Sequence, residues 1–110
     1  MRDDVVVVLV TGPDASTLKE LGRRVVEERF AACANVVGGV ESVYRWEGRV
    51  EEAAEALAIL KTTRQKADEL ERRVAALHPY EEPEFLVLPV SAGADGYLAW
   101  VAASVSPGAG

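Results

Sequence analysis

Three segments of this chain are apolar at consecutive positions instead of alternate ones: VVVVLV (5–10), ALAIL (56–60) and FLVLPV (85–90). β-branched runs of this length, bounded by turn residues, read as strands buried on both faces. A sheet covered by helices on one side should alternate apolar and polar residues on its wet side. These strands do not. Whatever fold they join must therefore cover both sides of one sheet.

Between the strands the pattern changes to a period near 3.6. TGPD (11–14) breaks the first run, and Asp14 is placed to cap a helix whose apolar positions include Leu18, Leu21, Val25 and Phe30. Thr17, with Glu20 three residues on, is the alternative cap. ACANVV (32–37) reads as a second strand, and Gly38 and Gly39 as a bulge or bend before the alternating VESVYRW (40–46). EGR (47–49) reads as a hairpin turn, and the chain returns as a strand over 54–63. A second helix runs from about Arg64 to His78, with Ala67, Leu70, Val74 and Leu77 on one stripe and Pro79 as its stop. The fourth strand spans 84–90, and Asp95 opens a short last helix with Leu98 and Val101 inward.

The order is strand, helix, strand, hairpin, strand, helix, strand. That is the split βαβ pattern of an α+β, ferredoxin-like sandwich, extended by a short C-terminal helix. Two long helices cover one face of such a sheet and leave the other to be covered by something else. The cheapest cover is another copy of the chain, so packing of open sheet faces in a homo-oligomer is expected; the alternative is the short last helix lying over part of that face.

At 110 residues the chain is the size of one domain, assigned to 1–105, with SPGAG (106–110) as a flexible tail. A net charge of −6 at pH 7 argues against a nucleic-acid partner, whose phosphates require a basic face. The apolar run near the N-terminus is too short for a membrane span or a signal core. The single cysteine, Cys33, allows no internal disulfide and fits a reducing, cytoplasmic setting. Within AACAN it reads as a buried, inert thiol with no neighbouring cation to activate it.

Chemistry concentrates in ALHPYEEPEF (76–85), which holds the only histidine, His78, followed by Glu81, Glu82 and Glu84. An imidazole with carboxylate helpers, His78 with Glu81 and Glu82, suits a divalent transition metal. The competing reading makes His78 a helix end, its ring near the last carbonyls and Pro79 behind it. Glu84, at the start of an apolar strand, calls for a partner, and Lys61 at the end of another such strand is the candidate. Tyr44 and Trp46 fall on one face of the alternating segment with Arg45 opposite, as interface anchors or as the wall of a cleft. No nucleophile–base pair, HExxH, phosphate loop or dinucleotide fingerprint is present, so an enzyme is not expected.

Five pieces in order, AACANVV, SVYRWEGRVE, ILKTT, LHPYEEPEFLVLPV and YLAWV, resemble the CutA family of divalent-cation tolerance proteins, from about residue 5 to about residue 103. The resemblance implies a ferredoxin-like fold, a homotrimer and association with copper(II). It also implies copper ligands at a cysteine ending the first strand and at two adjacent histidines. Of these, this chain keeps His78, with Val10 and Leu77 at the other two positions. The alternative on fold analogy is a trimeric small-ligand sensor resembling the PII-type signalling proteins, with inter-subunit clefts lined by Tyr44, Trp46, Lys61 and Glu84.

Overall fold

The computed structural model describes residues 4–106. Seven principal elements follow in order: β1 (Val5–Gly12), α1 (Ala15–Glu27), β2 (Cys33–Trp46), β3 (Arg49–Thr63), α2 (Ala67–Leu77), β4 (Leu86–Pro89) and α3 (Asp95–Val105). A 3-10 turn, Arg64–Lys66, leads into α2. The strands form one antiparallel sheet in the order β2-β3-β1-β4, which is the ferredoxin-like arrangement.

The core sits between α1, α2 and one face of this sheet. Val6, Val8 and Val10 of β1 and Ala56, Ala58 and Leu60 of β3 are all fully buried there, against Leu18, Leu21 and Val25 of α1 and Leu70 and Val74 of α2. The period-2 set of each strand meets the period-3.6 set of each helix, and every large member contributes roughly 1.5–3 kcal/mol through burial. Helix α1 begins where expected: the Asp14 carboxylate accepts the Thr17 N–H at 2.7 Å, which selects Asp14 over Thr17 as the cap. That bond holds the Asp14 carboxyl below its usual range. α1 ends at Glu27, earlier than its apolar pattern, and Phe30 reaches the core from a turn in which Arg29 takes a left-handed φ of 65°.

The two central strands join into a hairpin longer than the sequence pattern outlines. β3 starts at Arg49, five residues ahead of the expected 54. The register slips between Val37 and Val40, where Gly39 has a φ of 76°, so the glycine pair makes a bulge inside one strand. Trp46 pairs with Arg49 across a two-residue turn, and both turn residues, Glu47 and Gly48, have positive φ (51° and 79°). That is the turn geometry whose twist matches a hairpin.

β4 departs from expectation in the other direction. It has four residues, not seven, and all four are exposed, so it is an edge strand only partly covered on either face in the single chain. Glu84 consequently lies in the loop before the strand and does not open it. Among the described residues, the second sheet face is covered at one end only. There α3 packs Val101 and Val105 on Val5 and Ala32, with Val90 and Leu98 at the margin. Leu86, Leu88 and Val50 remain exposed. The tail assigned to 106–110 lies, from residue 107 onward, outside the described residues.

Candidate functional site: an acidic, aromatic cleft at the end of the sheet

His78 follows the last residue of α2. Proline at 79 disfavours a helical conformation for the residue before it, and His78 is extended (φ −79°, ψ 140°) while its N–H still closes the helix on Val74 O at 2.8 Å. The side chain is buried and turned onto β1. Nε2 lies 2.6 Å from the Thr11 carbonyl, and Nδ1 accepts the Tyr80 N–H at 3.0 Å. These partners set the tautomer: Nε2–H donates to Thr11 O and Nδ1 carries the lone pair. Both ring nitrogens are therefore engaged, and neither is free to ligate unless one of these bonds is surrendered. The imidazole ties the end of α2 to the end of β1 and fixes the loop that follows.

That loop forms one wall of a cleft of about 570 Å³. Tyr80, Glu81, Glu82 and Glu84 line it from the loop side, with Thr11 at the end of β1. Ser42, Tyr44 and Trp46 line it from β2, and Glu55 from β3. The register accounts for the hairpin wall: Tyr44 opposite Glu51 and Trp46 opposite Arg49 put both aromatics on one face, as their spacing of two requires. Tyr80 crosses between the walls, donating its hydroxyl to Glu55 Oε2 at 2.6 Å, and its ring packs 4.7 Å from that of His78. Burial and the adjacent Glu55 carboxylate push the Tyr80 phenol up to about 12. Glu84 accepts a long bond from the Thr11 hydroxyl at 3.4 Å.

The structure thus brings together Tyr44, Trp46, Glu81, Glu82 and Glu84 and leaves Lys61 out. Lys61 pairs with Val7 of β1, four residues along that strand from Thr11, or about 13 Å at the usual rise. Its ammonium donates to Asn35 Oδ1. The expected Lys61–Glu84 pair does not form, because the two residues belong to opposite ends of β1. Lys61 instead lies opposite Cys33 in the β2–β3 register. Cys33 is half-buried, not buried, with Sγ 3.7 Å from Asn35 Oδ1 and 3.8 Å from the Tyr97 hydroxyl. The cation that sequence spacing does not reveal is its cross-strand neighbour. One cleft residue escaped the sequence reading, Glu55, and with it the bond it accepts from Tyr80. The signal was weak, because Glu55 is one of several acids at the start of β3.

The donor set does not form a closed metal cage. Among the described residues, no group of three or more His, Cys, Asp or Glu is placed to hold one ion. Val10, fully buried in the core, takes the position where the resemblance implies a cysteine ligand.

Fold and cleft together define a small antiparallel α+β protein with an acidic recess at one end of its sheet. The sequence model of the family described as CutA1 divalent ion tolerance protein matches residues 6–104, and the chain belongs to that family. It is 45% identical over 95 residues to the divalent-cation tolerance protein CutA of Thermus thermophilus, covering 86% of this chain and 92% of that one. Against the divalent-cation tolerance protein CutA of Escherichia coli it is 45% identical over 100 residues, 91% of this chain and 89% of that one. The crystal structure of CutA1 from Oryza sativa superposes with a TM-score of 0.92 at 40% identity, covering 96% of this chain and 97% of that one.

Proposed function

We propose that this divalent-cation tolerance protein acts as a homotrimer that ligates a divalent metal ion, copper(II) being the implied one, reversibly and without catalysing a reaction. The trimer reading rests on bare apolar surface. Leu86 and Leu88 are 54% and 41% exposed, and Val43 and Val50 on the hairpin 67% and 62%. A monomer rarely leaves an edge strand and a hairpin this apolar in water. The unit that assembles is the single domain over 1–105. We place it in the cytoplasm on the unpaired Cys33. No helix among the described residues is long and apolar enough to cross a membrane.

The observation that carries the metal reading is the loop after α2. His78 pins it at both ring nitrogens, and it presents the exposed Glu81 and Glu82 side by side to the cleft. Two carboxylates completed by water make a weak, exchangeable oxygen site, which suits tolerance of an ion better than its permanent retention. In this reading His78 positions the loop, and Glu81 and Glu82 supply the donors. Copper(II) titration of chelator-stripped protein, followed by native mass spectrometry and electron paramagnetic resonance, tests it. We expect copper binding that Glu81→Gln/Glu82→Gln abolishes and a spectrum without imidazole nitrogen splitting. Nitrogen splitting that disappears in His78→Ala would instead make the imidazole itself a ligand. Protein that takes up no copper would remove the metal reading and leave the fold untouched.

A further inference from the structure

The cleft carries more than the two loop carboxylates. Four acids line it, Glu55, Glu81, Glu82 and Glu84, and among the described residues no lysine or arginine does. The rest of the lining is Thr11, Ser42 and Val43 with three aromatic rings, Tyr44, Trp46 and Tyr80. A metal ion at Glu81 and Glu82 gives these rings nothing to do. The acids are also spread around the space, since no three of them converge on one point. Distributed negative charge beside π faces matches a cation that is itself distributed and partly apolar.

We propose that the cleft binds an organic ammonium ion, a small alkylamine carrying one or more protonated nitrogens. The aromatic faces attract the ammonium through their quadrupoles and cover its methylene groups, and the carboxylates accept its N–H bonds. Other ligand classes fit less well. An anion, including a nucleotide, meets four carboxylates and no cation. A neutral apolar molecule would strip water from those carboxylates and return no hydrogen bond to them. At about 570 Å³ the space is that of a small-molecule site, not of a folded partner. The removal of Lys61 from the site supports the same conclusion. A cleft lined by Lys61 and Glu84 would suit a zwitterion or an anion, whereas the charged groups observed in the lining are all acidic. The Tyr80 hydroxyl holds Glu55 in place at 2.6 Å, so one carboxylate is oriented before any ligand arrives.

This inference does not depend on the copper reading, and different substitutions separate the two. The test is isothermal titration calorimetry of the full-length protein in its native assembly with putrescine, and with butane-1,4-diol as the uncharged analogue of the same length. Putrescine should bind and the diol should not. Trp46→Ala should weaken putrescine binding about two- to fivefold while leaving copper stoichiometry unchanged. Glu84→Gln, which removes no proposed copper donor, should weaken it too, and more strongly at low salt, because its loss is electrostatic. Failure of putrescine to bind overturns the proposal, whether a neighbouring subunit fills the cleft or the walls are too open. Equal binding of the diol overturns the ammonium assignment. Binding that both substitutions leave unchanged places the ligand elsewhere and overturns the site.

Discussion

The two faces of the sheet are built from the same strands and end up in different states. On the helix side, Val6, Val8, Val10, Ala58 and Leu60 have no exposed surface, and the closure is complete within one chain. On the other side, α3 closes the Val5 end and stops there. From Thr11 outward, the same sheet presents exposed leucines and valines, an edge strand only partly covered on either face and an acidic cleft. Alternation along β1 is apolar on both sets, so residue type does not distinguish the faces. The difference lies in number: α1 and α2 share the closed face, while α3, at 11 residues as long as α2, lies alone at one end of the other. The closed face is where stability resides, and the open face is where recognition by another copy, or by a ligand, remains available.

The sharpest way to break this contrast is to charge the open face. Leu88→Glu should leave the fold intact but reduce the proposed homotrimer to single chains, since a carboxylate buried between copies would have no partner. Sedimentation equilibrium would read the loss of mass and circular dichroism the retained fold; an undiminished assembly would mean that β4 lies outside the interface. On the closed face, Leu60→Ala should do the reverse. It should cost about 2–5 kcal/mol in denaturant unfolding, because the site is fully buried and cannot collapse freely, with assembly unaffected at low denaturant. A smaller effect is expected where the closed face begins. Asp14→Ala removes the cap of α1 and should cost about 1 kcal/mol in the same measurement, and Asp14→Asn should recover most of it.

The smallest effect lies at the cleft and appears only in alkali. The Tyr80 phenol is held up to about 12 against an ordinary value near 10. Its folded value is the raised one, so its contribution is fully present below pH 10 and is lost as pH climbs from 10 to 12. Ultraviolet titration should therefore show a late-ionising tyrosine that Glu55→Gln brings down, while Tyr97, raised by its bond to Cys33, is unaffected by that substitution. Simultaneous ionisation of all three would remove the Tyr80–Glu55 bond from the cleft.

Much of this arrangement is legible in the residues. The β-branched runs, the Asp14 cap, the paired glycines at 38 and 39, the Glu47–Gly48 turn and the stop at Pro79 are all local devices. Each acts through its own backbone or its immediate neighbours, so its effect can be read without knowing the fold. That one sheet face stays largely uncovered in a single chain is legible for a similar reason, since two helices have a limited covering area wherever they pack. The cleft is legible only in part. Tyr44, Trp46, Glu81, Glu82 and Glu84 carry chemistry in the sequence, and they do converge. Lys61 carries it as visibly, and does not.

The failures share one cause. Lys61 and Glu84 each end or precede an apolar run, and sequence spacing cannot tell at which end of a sheet a residue will lie. That depends on antiparallel register, which sets Lys61 opposite Val7 and leaves Glu84 beside Thr11. β4 reads as a buried strand because it is apolar, yet it is an edge left about half exposed in a single chain; burial is a property of neighbours, not of the strand. His78 shows the same division most clearly. Its place at a helix end follows from Pro79 alone. That its two nitrogens meet Thr11 O and Tyr80 N–H, and are thereby engaged, follows from bringing α2 against the end of β1, 67 residues earlier in the chain. Local conformation is set by short-range sterics and is written in adjacent residues. The pairing of distant donors and acceptors is set by packing, and only the folded chain decides it.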